Sequence, residues 1–184
     1  MKIQTLFQVV LIMLILSACQ TVPTMRYDFT PDYVAPSGHK INARLQSVDV
    51  TPASPDEKTG VIILDRAELQ PIIKEWKRAL TVAMDKSQKF DLNSSEKVKL
   101  VVQILRFETS NSLSLLLGGQ KITSIKARYM IIKSATETII YSQDIDSIGY
   151  GSNYRGWNNV SVVSYDIAIG TNIENFVEKL NGIK

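Results

Sequence analysis

Hydrophobic and polar positions divide the chain into recognisable segments. From residue 7 to residue 16 nearly every side chain is apolar, with Gln8 the one interruption. After residue 40 the pattern changes to alternation: Ile41, Ala43 and Leu45 come first, and Val48 and Val50 resume the series after a displaced step. A period of two predicts a strand with one covered face. Residues 51–60, with Pro52 and Pro55, read as a loop before a short apolar strand at 61–64. Ile72, Trp76, Leu80 and Ala83, joined by Ile73, Ala79 and Met84, then recur every three or four residues. That spacing predicts a helix over about 69–86, with Trp76 as a packing anchor. Asp65 and Glu68 have capping-box spacing, and Pro71 belongs to an early turn.

Alternation returns at 97–107 through Val98, Leu100, Val102 and Ile104, with a change of register near Arg106 and Phe107. Ile125, Ala127, Tyr129 and Ile131 form another alternating series. A turn at 133–137 and a strand over 138–147 complete an antiparallel hairpin. A last helix is predicted over about 164–181. It packs through Ile169, Ile173, Phe176, Val177 and Leu180, keeps Asp166, Asn172, Glu174, Glu178 and Lys179 on its wetter side, and ends at Gly182. Gly170 within it permits a close crossing over a sheet. The expected fold class is α+β, an antiparallel or mixed β-sheet covered by two principal α-helices.

The first apolar run follows Lys2 and is too short to span a bilayer as a permanent helix, so it reads as a signal peptide. Its end, Leu16, Ser17, Ala18 and Cys19, resembles the lipobox of bacterial lipoproteins, and Cys19 is the single cysteine among 184 residues. The resemblance implies diacylglyceryl transfer to the Cys19 sulfur, cleavage before it, and acylation of the freed amine, with palmitate among the chains. Two or three chains hold a protein at a membrane without spanning it. Gln20 stands where aspartate would resemble the inner-membrane retention signal of enterobacterial lipoproteins. Attachment to the outer membrane, with the folded part facing the periplasm, is therefore expected.

Three regions follow: a signal peptide at 1–18, a lipidated N terminus and tether at 19–39, and a periplasmic α+β domain at 40–184. Pro23, Pro31 and Pro36 favour an irregular arm over a regular element. One cysteine forms no disulfide within the chain, so stability must come from packing.

Overall content is 45% hydrophobic and 21% charged, which excludes a mostly disordered or multi-span protein. The net charge of +3 is dispersed and defines no nucleic-acid groove. His39 is the sole histidine, so one chain offers neither a multi-histidine metal centre nor a serine-histidine triad. Asp144 and Asp146 face one side of a strand, but nothing assigns them acid and base roles. No dinucleotide, phosphate-loop, zinc-protease or calcium-loop motif occurs. The expectation is a protein that is not an enzyme and has no cofactor or metal beyond the covalent lipid.

Two segments are candidate contact surfaces. Leu113, Leu115, Leu116 and Leu117 precede Gly118 and Gly119, an arrangement that suits contact with a protein or the adjacent membrane, or a strand or loop folded onto the core. Tyr150, Tyr154, Arg155 and Trp157 lie among glycines and asparagines. They suit a protein partner, a stacked cell-wall glycan, or packing at the sheet end. The helix bearing Trp76, the 97–107 strand, the 122–145 hairpin region and the terminal helix bearing Asn175 and Phe176 together resemble small YajG-like envelope lipoproteins. That resemblance implies an accessory or structural role in the envelope and carries over no catalytic residue. The leading expectation is a membrane-anchored, non-enzymatic accessory protein of envelope assembly or maintenance; the alternative is a glycan- or peptidoglycan-binding module.

Overall fold

The structure, a computed structural model, describes residues 27–31, 34, 39–64, 66–111, 120–151 and 160–182. Strand β1 (Arg44–Pro52) leads into helix α1 (Arg66–Ser87), and β2 (Lys97–Asn111), β3 (Lys121–Lys133) and β4 (Ile139–Gly151) follow before helix α2 (Val160–Asn181). The sheet order is β1-β2-β3-β4. β1 runs parallel to β2, because α1 carries the chain back between them, whereas β2, β3 and β4 are antiparallel neighbours. The α+β class is as expected, and the sheet is mixed.

Period two becomes burial in this sheet. Val98, Leu100, Val102 and Ile104 of β2 are fully buried, as are Ile125, Ala127, Tyr129 and Ile131 of β3. A bulge between Ile104 and Arg106 shifts the register, so that Phe107 replaces the even-numbered positions in the core. Past that bulge β2 continues to Asn111, four residues beyond the expected end.

The apolar face of α1 packs as its spacing predicts, with Ile72, Trp76, Ala79, Leu80 and Ala83 all fully buried. Pro71 lies in the second turn, where its missing N–H leaves the Ala67 carbonyl without its helical donor. The anticipated strand at 61–64 forms one parallel bridge, Ile62 to Phe107. The connection before it follows the β2 edge: Thr59 N–H donates to the Leu105 carbonyl, Ile63 N–H to the Phe107 carbonyl, and Phe107 N–H to the Val61 carbonyl.

Helix α2 lies across β3 and β4. It approaches the sheet closely at Gly149, where a Cβ would meet the Ser164 carbonyl oxygen at 2.1 Å and the Ala168 nitrogen at 2.5 Å. Gly170 was expected to serve a close sheet crossing; instead, a Cβ there would meet the Phe29 carbonyl oxygen at 3.8 Å, an ordinary contact with the N-terminal arm. Asn172, which the helical spacing places on the wetter side, is instead fully buried. Its Oδ1 accepts a hydrogen bond from the Tyr129 hydroxyl at 2.7 Å, and its Nδ2 donates to the Ile145 carbonyl at 3.1 Å and Ser147 Oγ at 2.9 Å. Tyr129 stacks on Phe176 at 4.2 Å between ring centroids. Burial drives the Tyr129 phenol far above its ordinary pKa, so it stays a hydrogen-bond donor.

Candidate functional site: one end of the sheet and the arm that reaches it

The ladder brings Asn111, Lys121 and Gly151 side by side, since Asn111 pairs with Lys121 and Lys121 with Gly151. This defines the upper end of the sheet. The connections after β2 and after β4 both leave from it, so the two sequence-marked segments originate at neighbouring positions. Leu113, Leu115, Leu116, Leu117, Tyr154, Arg155 and Trp157 themselves lie outside the described residues, as does Cys19. Tyr150 is described: it sits on the face away from the helices, opposite Ile122, and is 55% exposed.

The arm reaches the same end. Phe29, within the segment expected as a tether, is fully buried in the core, and Tyr27 packs beside it at 5.5 Å between ring centroids. Asp28 pairs with Arg78 of α1 at 3.0 Å, and the same guanidinium donates to Thr30 Oγ1 at 2.9 Å. The Asp28 backbone N–H also bonds the Asp166 carboxylate of α2. Tyr27 lies near Tyr165 and Glu68, and Tyr165 packs edge-on against Phe107 in the upper half of β2. The chain therefore enters the described fold from the upper end and passes between α1 and α2. The prolines of this stretch favour an irregular arm and mask the spacing of Tyr27 and Phe29, so the burial of Phe29 is not read from the sequence.

Asp166 is held in an unfavourable setting for a carboxylate. Burial is the main cause, and nearby Asp28 and Glu75 add negative charge, against the opposing Asp28 N–H bond. Its pKa is pushed up to about 6.

The open sheet face carries cross-strand ion pairs. Arg128 meets Asp144 through two hydrogen bonds, at 2.8 and 3.3 Å, and Arg106 meets Asp146 at 3.1 Å. Lys126 lies 3.7 Å from Asp146 and 4.0 Å from Asp144. Asp144 and Asp146 do share a face, and both are engaged by cations. Each such partly exposed pair contributes about 0 to 1 kcal/mol. A shallow depression of about 730 Å³ beside them is lined by Glu57, Gln103, Arg128, Ser142 and Asp144, among others. A second hollow, of about 660 Å³, lies between β1 and the end of α1, against Leu45, Met84, Phe90 and Leu92.

Among the described residues no cluster of three or more histidine, cysteine or acidic side chains is placed to hold a metal. No helix among them is long and apolar enough to cross a membrane.

No protein-family model and no curated protein sequence matches the chain. Among solved structures it is similar to protein XCC0632 from Xanthomonas campestris, of family DUF330, with a TM-score of 0.52 and 12% identity over 83% of this chain and 90% of that one. It is also similar to a minor lipoprotein from Acinetobacter baumannii, with a TM-score of 0.44 and 11% identity over 77% of this chain and 94% of that one. A candidate lipoprotein from Caulobacter crescentus aligns with a TM-score of 0.39 and 8% identity over 68% of this chain and 88% of that one. At such identities the likeness to the Xanthomonas protein is one of fold.

Proposed function

We propose that the chain is an outer-membrane lipoprotein whose domain faces the periplasm and acts, without catalysis, as an accessory of envelope assembly or maintenance. Lipidated Cys19 supplies the anchor, a second envelope protein is the partner, and the YajG-like resemblance of the sequence is part of the same reading. The observation that carries it is the shared upper end: the N-terminal arm packs in the upper half of the fold, and the strands that lead into both candidate contact segments, β2 and β4, end side by side there. Anchoring confines that end near the membrane and raises the effective concentration of a contact made there.

The test is crosslinking capture from intact envelopes, before and after glycan digestion, with Leu115→Ser/Leu116→Ser and Tyr154→Ala/Trp157→Ala variants. One protein retained after digestion and lost in one variant is the expected outcome. Stoichiometric binding of a defined muropeptide, lost in the Tyr154/Trp157 variant, would replace this reading with glycan recognition.

A further inference from the structure

We infer that the upper end of the sheet rests against the bilayer, with the long axis of the domain raised from the membrane. This deepens the anchored reading and rests on lipidation of Cys19.

Two independent observations converge. The first is tether length. Seven residues lie between Cys19 and Tyr27, so the link of eight Cα steps reaches at most about 28 Å when fully extended. The 13 residues of β3 extend over about 40 Å at the usual rise. Tyr27 lies near Tyr165, level with Phe107 and its partner Ile125, about 13 Å below the upper end at Lys121 and about 26 Å above the lower end at Lys133. The link therefore reaches the upper end with slack and the lower end only when almost fully extended.

The second is the distribution of exposed apolar side chains. Of nine large ones among the described residues, six lie in the upper half: Val61, Ile63, Ile148, Tyr150, Val163 and Ile167. Ile148 and Tyr150 stand on the open face; Val61 and Ile63 flank the bridge to Phe107 beside β2; Val163 and Ile167 flank the α2 turn packed on Gly149 and Thr123. They collar one end from three sides. A protein docking on one face would bury only part of such a collar, whereas an interface lying across the end of the domain meets all of it. Tyrosine with an apolar ring and a polar hydroxyl suits that boundary.

The test uses full-length lipidated protein in vesicles of phosphatidylethanolamine and phosphatidylglycerol. Lipid blocks the Cys19 sulfur, so a second cysteine introduced as Tyr150→Cys, Val163→Cys or Leu92→Cys reacts alone with a polarity-sensitive fluorophore. Leu92 is the control at the lower end, 77% exposed. The expected result is blue-shifted emission and quenching by bilayer nitroxide at 150 and 163, with neither at 92. Unshifted emission at all three sites, as a collar covered by protein instead of lipid would give without its partner, or the strongest quenching at 92, overturns the orientation while leaving lipidation intact. An unmodified Cys19 thiol, found by mass spectrometry of the same preparation, overturns the anchored reading and this orientation together.

Discussion

Gly149 lies directly under the Ser164 carbonyl, with 2.1 Å between that oxygen and the place a Cβ would occupy. The contact sets how closely α2 packs on β4, and the buried Thr123–Ser164 hydroxyl pair at 2.8 Å holds the same turn to β3. Gly149→Ala forces backbone apart in a packed core, at a cost of about 2 kcal/mol or more. Gly170→Ala meets only ordinary contact and gains helix propensity, so it should stabilise by up to about 1 kcal/mol. Urea unfolding of the two variants should give midpoints displaced in opposite directions; a shared direction would contradict the packing described.

The Asn172 network predicts an asymmetry. Tyr129→Phe removes one donor and leaves Asn172 Oδ1 buried without it, a loss of about 1 to 3 kcal/mol. Asn172→Leu orphans the Tyr129 hydroxyl, the Ser147 hydroxyl and the Ile145 carbonyl together, and should cost more. Unfolding free energies should fall in that order, with the double variant less destabilised than the sum of the two singles.

Phe29 makes the arm part of the fold. Phe29→Ala should cost about 3 to 5 kcal/mol if the cavity persists, or free the arm if it does not. Limited proteolysis distinguishes these outcomes: release of the arm predicts new cleavage between residues 27 and 39 at native pH, and a persistent cavity predicts lowered stability without it.

Asp166 sets a pH dependence. Its folded pKa of about 6 stands above the ordinary carboxylate value near 4, so between these values the folded state binds more protons than the unfolded one. The contribution of Asp166 to stability is therefore greatest below about pH 4 and falls as pH rises to about 6. Asp166→Asn should remove that slope and be more stable than the parent at neutral pH. Urea midpoints measured from pH 4 to pH 7 check it; an unchanged slope would contradict the burial of this carboxylate.

Much of the fold was legible because two periods dominate it. The spacing of Ile72, Trp76, Leu80 and Ala83 located α1, and alternation through Ile125 to Ile131 located β3, since both patterns reflect one buried face. Long-range pairing was less legible. Nothing local to Arg44–Pro52 sets it parallel to β2, nor does the 61–64 sequence reveal that it makes only one bridge. Asn172 reads as polar in isolation and becomes a core residue because Tyr129, Ile145 and Ser147 supply its partners. Of the candidate contact residues, Tyr150 is placed on an exposed face, and the convergence of the flanking strand ends came from register that no single segment encodes.

Whether lipid on Cys19 anchors the chain is decided by mass spectrometry of the N-terminal peptide from protein made in a Gram-negative host. The expected peptide begins at Cys19 and carries diacylglycerol on sulfur and a further acyl chain on the amine, with the protein in the outer-membrane fraction. A peptide beginning at Met1, or one with a free Cys19 thiol and no acyl mass, would contradict it.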